Sequence, residues 1–192
     1  MGIRYATRLA VSVGLLATAI GALSIHAAIT VPSTDVPKTI DDQRKVTSVL
    51  NWPAINGTVT DANLFVNIRH TWDGDVGITL MRPHGVAVSL WNHTGGDCGG
   101  SGDNFTNTII NDQGAVPNCA AGAPFTGSFK GAPGGMVSSS VMTAFNGPDP
   151  VGTWVLILSD DSLGDTGTLV AWSLTLDFAG PLAVELMKPE GR

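Results

Sequence analysis

Alternation of apolar and polar residues constrains the fold of this chain more than any other feature. In residues 63–69 (NLFVNIR) and 76–81 (VGITLM) apolar residues recur at every second position, so their side chains share one face. This is the period of a half-buried β-strand. Beyond residue 28 no long stretch repeats apolar residues at helical spacing. The pattern predicts an all-β domain with almost no α-helix.

The acidic residues favour the same conclusion. Of 16 acidic residues 14 are Asp, and the two Glu residues, Glu185 and Glu190, lie at the very end of the chain. Asp favours turns and caps, whereas Glu favours helix interiors. The 24 Gly and 11 Pro residues add turn formers. The composition is typical of short strands joined by many turns.

We predict eight or nine antiparallel strands, which favours a two-sheet sandwich or a jelly roll. Three of them form a meander, with turns at 72–75 (WDGD) and 83–85 (PHG). The run 153–159 (TWVLILS) predicts a central strand buried on both faces. The last strand, 169–178, should meet the meander across the core with five side chains on its apolar face, namely Val170, Trp172, Leu174, Leu176 and Phe178.

The N-terminus has the pattern of a secretory signal. Arg4 and Arg8 precede an apolar run from Leu9 to Leu23, and small residues follow up to Ala28. The run is shorter than the roughly 20 residues that span a bilayer, so a retained anchor is the minor alternative. We expect a signal peptide at 1–28, a secreted domain at 29–179, and a tail or linker at 180–192.

Charge excludes some classes of partner. Loss of Arg4 and Arg8 with the signal takes the formal charge from −6 to about −8. An acidic surface argues against nucleic acid and anionic membranes as partners, and it is compatible with divalent cations or a basic protein.

Two cysteines, Cys98 and Cys119, lie in a region rich in Gly and Asn. After export a disulfide between them is the favoured interpretation, and it would close a long loop. A pair of metal ligands is the alternative, although no further Cys or His stands at metal-site spacing.

Four blocks together resemble a known family. They are VNIRHTWDGDVGITLMRPHG (66–85), GDNFTNTIINDQG (102–114), PFTGSFK (124–130) and AFNGPDPVGTWVLILSDDSLGDTGTLVAWSLTL (144–176). In order and spacing they resemble the P domain, or Homo B domain, of kexin-like and furin-like proprotein convertases, and the resemblance runs from about residue 30 to 179. Residues 73–75 are Asp-Gly-Asp where many relatives have Arg-Gly-Asp, and the loop with the cysteines looks like an elaboration.

The resemblance implies a galactose-binding-domain-like jelly-roll β-sandwich. It also implies packing against a subtilisin-like serine protease domain, whose folding, stability, calcium dependence and pH dependence the P domain influences. In that family proteolysis belongs to the protease domain. We therefore expect a non-catalytic module that stabilises or docks such a protease or another extracellular protein.

The Asp-rich turns suggest a calcium site, because Ca²⁺ takes six to eight oxygen ligands from carboxylates, amides and carbonyls. The alternative is that each side chain only caps a turn. The candidate ligands are Asp73, Asp75, Asp103, Asn104, Asp112, Asp160, Asp161 and Asp165.

Trp72 and Trp91 lie at predicted strand ends, where an aromatic ring could stack on a sugar, although packing within the protein is the first expectation. A calcium-dependent carbohydrate-binding or adhesion module is therefore one alternative function. A C-terminal fragment of a longer secreted protease is another.

The triplet Asp165-Thr166-Gly167 is like the one that carries the catalytic Asp of aspartic proteases, but a turn explains it equally well. A subtilisin-type triad also needs a His and a nucleophilic Ser in motifs that this sequence lacks. We expect no catalytic residues.

Overall fold

A computed structural model of the chain describes residues 26–92, 102–116, 123–132 and 140–184. Within these ranges the protein is all-β, and its only helical elements are two short 3₁₀ turns, Asp73–Asp75 and Met142–Phe145. The all-β prediction is confirmed for this part of the chain. None of its helical elements is long and apolar enough to cross a membrane.

Ten strands lie in the described ranges. Their bounds are β1 His26–Pro32, β2 Lys38–Ile40, β3 Lys45–Trp52, β4 Ile55–His70, β5 Val76–Met81, β6 Ala87–Trp91, β7 Phe105–Ala115, β8 Phe125–Phe129, β9 Gly152–Asp160 and β10 Gly167–Val184. β1 begins three residues before the predicted start of the secreted domain, and β10 extends beyond residue 179.

The strands form two sheets. The six-stranded sheet has the order β1-β10-β4-β7-β8, with β2 also paired to β10, and the four-stranded sheet has the order β3-β9-β5-β6. All these pairings are antiparallel except that of β7 with β8, which is parallel. The arrangement is a sandwich, and its description as a jelly roll stays a prediction.

The predicted three-strand meander is wrong. β5 and β6 are antiparallel neighbours, but β4 lies in the other sheet, and the Asp73–Asp75 turn carries the chain across. All three residues of that turn are buried, so the segment passes between the sheets inside the protein and is not an exposed hairpin turn. β10 is the direct neighbour of β4, with Gly167 opposite His70, so these two strands do not meet across the core.

Two predictions about which strand faces are buried are also wrong in part. β9 is central, between β3 and β5, but up to Leu158 its buried residues alternate with half-buried ones, so it is not buried on both faces throughout. In β10 an irregularity between Leu169 and Ala171 shifts the register against β4. Leu169 is therefore buried and Val170 is only partly buried, while the remaining four predicted core residues are buried.

The core lies between the sheets and contains large aromatic side chains. Trp52 of the four-stranded sheet packs on Phe178 of the six-stranded sheet, with ring centroids 6.2 Å apart. Trp91 packs edge-on against Phe105 and Phe125 at 5.3 and 4.9 Å. The sheets are thus joined by apolar contact, which stabilises a fold with few cross-sheet hydrogen bonds.

Candidate functional site

One end of the sandwich gathers most of the predicted ligands. There the ends of β4 and β9 meet the beginnings of β5 and β10, because His70 lies opposite Gly167 and Val76 lies opposite Asp160. We call this region the acidic end and define it by Asp73, Asp75, Asp103, Asn104, Asp160, Asp161 and Asp165. Asp112 is the exception, because its carboxylate accepts the N–H groups of Met142 and Thr143 and caps a 3₁₀ turn elsewhere.

A buried histidine–aspartate pair lies inside the acidic end. His70 Nε2 is 3.3 Å from Asp160 Oδ2, and both side chains are fully buried. His70 Nδ1 is 2.7 Å from the carbonyl oxygen of Trp72 and 3.2 Å from its backbone nitrogen, so the backbone of Trp72 holds the ring in either tautomer. Burial raises the pKa of Asp160, while the N–H of Ser162 and the charge of His70 lower it.

Asp73 has no such partner. It is 0 % exposed, and neither carboxylate oxygen makes a hydrogen bond within the described residues. Its backbone N–H donates to the carbonyl of Gly102 at 3.0 Å, which holds the turn against the segment that contains Asp103. Burial raises the pKa of Asp73 to about 6, and the charge of Asp103 adds to this effect.

Several other members of the acidic end stabilise local structure. Asp160 Oδ1 accepts the N–H of Ser162, Asp161 accepts the hydroxyl of Ser159, and Asp165 accepts the hydroxyl of Thr71 at 2.7 Å. Asn104 has a positive φ of 78°, and its side-chain oxygen accepts the N–H of His70. These four residues behave as turn formers, which was the alternative interpretation of the sequence.

The described residues contain no group of three or more His, Cys, Asp or Glu side chains that could hold a metal ion. The eight predicted ligands therefore do not form one cage of side chains. Calcium binding stays a prediction, and any site would need backbone carbonyl or water oxygens beside one or two carboxylates.

A polar cavity of about 250 Å³ opens beside the histidine–aspartate pair. It is lined by Arg69, His70, Thr71, Asp103, Asn104, Thr166, Gly167 and Thr168. Gly167 is required there because a Cβ atom would lie 2.4 Å from His70 Cδ2 and 2.5 Å from the carbonyl of Arg69. The cavity thus offers a polar ligand the positive charge of Arg69, the negative charge of Asp103 and several hydroxyl groups.

The two predicted stacking residues differ in exposure. Trp72 is 39 % exposed and directly follows Thr71, which lines the cavity. Trp91 is 1 % exposed and packs on Phe105 and Phe125, so its ring belongs to the core. The stacking prediction therefore rests on Trp72.

A profile of the proprotein convertase P domain matches residues 59–176, which is more than half of the chain. The chain belongs to the proprotein convertase P-domain family. The matched region begins in β4 and ends in β10, so this P domain includes the whole acidic end and the cavity.

Two solved structures of Aeromonas sobria resemble this P domain. One is a serine protease in complex with its chaperone, with 16% sequence identity, a TM-score of 0.45, and coverage of 83% of this chain and 27% of that one. The other is the serine protease itself, with 18% identity, a TM-score of 0.43, and coverage of 81% and 27%. The chain thus spans about a quarter of the length of each protease. No curated protein is a significant match.

The P domain is the non-catalytic module of proprotein convertases, and this chain consists mostly of that domain. One ring nitrogen of His70 contacts the carbonyl of Trp72, and the other faces Asp160. In Asp165-Thr166-Gly167, the Asp165 carboxylate accepts the Thr71 hydroxyl in a turn.

No sequence motif pointed to His70. The sequence around His70 does contain a signal. Asp73 and Asp75 follow it closely, so acidic partners are expected near its ring. Arg69, Thr166 and Thr168 carried no signal, because only the pairing of β4 with β10 brings them to one cavity. Cys98 and Cys119 lie outside the described residues, so the disulfide stays a prediction.

Proposed function

We propose that this P domain is a secreted, non-catalytic module that docks onto a subtilisin-like serine protease domain and stabilises it. The observation that carries the proposal is the P-domain match over residues 59–176. Modules of this family accompany a protease domain, and a β-sandwich without a reactive site can contribute through contact alone. Stabilisation by binding follows from mass action, since a partner that binds only the folded state shifts the unfolding equilibrium.

The acidic end is the surface that we assign to this contact. Trp72 is 39 % exposed and Leu163, in the turn between β9 and β10, is 76 % exposed. Exposed apolar side chains surrounded by carboxylates suit a partner with an apolar pocket and a basic rim. An aromatic anchor such as Trp72 typically contributes more binding energy than its neighbours.

The test is co-expression with each subtilisin-like protease domain encoded in the source genome. We expect one of them to melt several degrees higher, and to lose activity more slowly at elevated temperature, when the P domain is present. Leu163→Ser and Trp72→Ala should weaken this effect. Val86→Ser is the matched control, because Val86 is 44 % exposed in the turn between β5 and β6, at the opposite end.

If no protease domain gains stability, the docking role is refuted. If Val86→Ser weakens the effect as strongly as Leu163→Ser, docking stands but the acidic end is not its surface.

A carbohydrate-binding role is the second candidate, and the cavity beside the exposed Trp72 supports it. Carboxylate, amide, guanidinium and hydroxyl groups are the partners that sugar hydroxyls need, and an aromatic face adds stacking. We would titrate galactose and a set of oligosaccharides by calorimetry. Saturable heat that Thr168→Val and Trp72→Ala abolish, while Val86→Ser preserves it, would favour this role over docking.

Secretion is proposed from the N-terminal pattern. Cleavage after residue 28 would leave Ile29–Pro32 of β1 to pair with β10. N-terminal sequencing of the protein recovered from the medium should begin near Ile29. Recovery of an unprocessed chain in the cell fraction would refute secretion.

A further inference from the structure

The unpartnered carboxylate of Asp73 is the least explained feature of the molecule. The side chain is fully buried, and within the described residues neither oxygen accepts a hydrogen bond. Burial of an ionised carboxylate without a compensating group is strongly unfavourable. A buried carboxylate is tolerated either because it is protonated or because a bound ion or ligand neutralises its charge.

Asp73 lies among other acidic residues. The ring of His70, its neighbour in the acidic end, already faces Asp160, with Nε2 3.3 Å from Oδ2. The backbone N–H of Asp73 donates to the carbonyl of Gly102, and the residue that follows Gly102 is Asp103. The segment that contacts the Asp73 turn therefore carries a second carboxylate.

We propose that Asp73 and Asp103 bind a divalent cation, with Ca²⁺ as the best fit. The candidate ligands are the carboxylate oxygens of both residues. The carbonyl oxygen of Gly102, which accepts the backbone N–H of Asp73 at 3.0 Å, is a further oxygen in the same contact. An all-oxygen set without His or Cys selects hard cations rather than zinc or copper. Ca²⁺ accepts irregular coordination and completes its shell with water, whereas Mg²⁺ requires a near-ideal octahedron.

The other residues of the acidic end have local contacts. Asp161, Asp165 and Asn104 accept hydrogen bonds from neighbouring groups, and Asp160 faces His70. Asp73 differs because it is both buried and unpartnered in the described part of the chain. Of the eight predicted ligands, the proposal keeps Asp73 for this reason and Asp103 because it follows Gly102, which contacts Asp73. The inference is independent of the docking role.

The first test is thermal unfolding of the full chain at pH 7.5, with EDTA or with millimolar Ca²⁺. We expect Ca²⁺ to raise the melting temperature by several degrees, because the ligand binds only the folded state. Asp73→Asn should abolish the increase. Asp165→Asn is the matched control at the same end of the sandwich, and it should keep the increase.

Calorimetric titration of Ca²⁺ into Asp103→Asn provides a second test that leaves the buried side chain intact. We expect at least a tenfold loss of affinity relative to the unaltered chain. An unaltered chain that shows neither heat nor a melting shift with Ca²⁺ would overturn the proposal. So would a shift that persists in Asp73→Asn, because the cation would then bind elsewhere.

Discussion

Two buried aspartates at the acidic end show how surroundings decide the role of a residue. Asp160 faces His70 at 3.3 Å, and its other oxygen accepts the N–H of Ser162, so both oxygens have a neighbour. Asp73 is buried to the same degree but makes no hydrogen bond in the described ranges. Asp160 thus belongs to the internal structure, whereas the Asp73 carboxylate has no hydrogen-bond partner in these ranges.

The titration of Asp73 should appear in the pH dependence of stability without Ca²⁺. Its pKa rises from 3.8 to about 6 on folding, so the folded state binds the proton more tightly than the unfolded state. The contribution of Asp73 to stability is therefore greatest below about pH 4 and is lost as pH rises to about 6. Between pH 4 and 7.5, the unaltered chain should lose about 2 kcal/mol relative to Asp73→Asn, measured by urea unfolding in EDTA. A constant difference across this range would contradict the burial of an isolated carboxylate.

Removal of the Asp160 carboxylate should also destabilise the domain. Asp160→Asn changes the group that faces the buried Nε2 of His70, and an unpaired buried polar group typically costs about 1–3 kcal/mol. Urea unfolding at pH 7 measures this loss. Asp161→Asn, one residue away and exposed, should change stability by less than about 1 kcal/mol. Equal small losses in both variants would show that the pair contributes little.

At the scale of strands and turns, the cross-sheet hydrogen bond of Trp172 orients β10 over β3. Trp172 Nε1 donates to Ser48 Oγ at 2.8 Å, and Ser48 Oγ donates in turn to the carbonyl of Asp35 at 2.7 Å. Both side chains are buried. The two sheets are thus joined at a polar point inside an otherwise apolar interface.

Ser48→Ala should therefore destabilise the domain. The change leaves the buried indole N–H of Trp172 and the carbonyl of Asp35 without their partner, which costs about 1–3 kcal/mol. Denaturant unfolding measures the loss, and Thr47→Ala, at an exposed position of the same strand, is the control. A loss no larger than that of Thr47→Ala would show that the indole finds another partner.

At the scale of the whole molecule, the two sheets have one core. Its buried residues come from both sheets without a break, and four of the five tryptophans, at 52, 91, 154 and 172, are in it. A single core predicts cooperative unfolding, since neither sheet can cover its own apolar face.

Unfolding followed by tryptophan fluorescence and by far-UV circular dichroism should accordingly give the same midpoint. Fluorescence reports the core between the sheets, and circular dichroism reports the strands themselves. The measurement is a urea titration of the full chain in EDTA. Midpoints that differ by more than the experimental error would show that one sheet persists after the core has opened.

The sequence alone determined the strand content and the turn chemistry, because both depend on neighbours within a few residues. The period-two pattern predicted residues 76–81 as a strand, and β5 has those bounds. The abundance of Asp over Glu predicted turns, and the carboxylates of Asp112, Asp161 and Asp165 do accept hydrogen bonds within or beside turns. The order of the four family blocks also identified the family, which the profile match confirms.

Only the tertiary structure decided which sheet each strand joins and which aspartate is left without a partner. An apolar face can be covered equally well by a neighbouring hairpin or by a strand 100 residues away, so alternation could not place β4 beside β10 rather than β5. The eight candidate ligands looked alike in the sequence, because burial and hydrogen bonding depend on distant segments. Asp73 differs from the others because the fold buries its carboxylate without a hydrogen-bond partner in the described ranges and pairs its N–H with Gly102, the residue before Asp103.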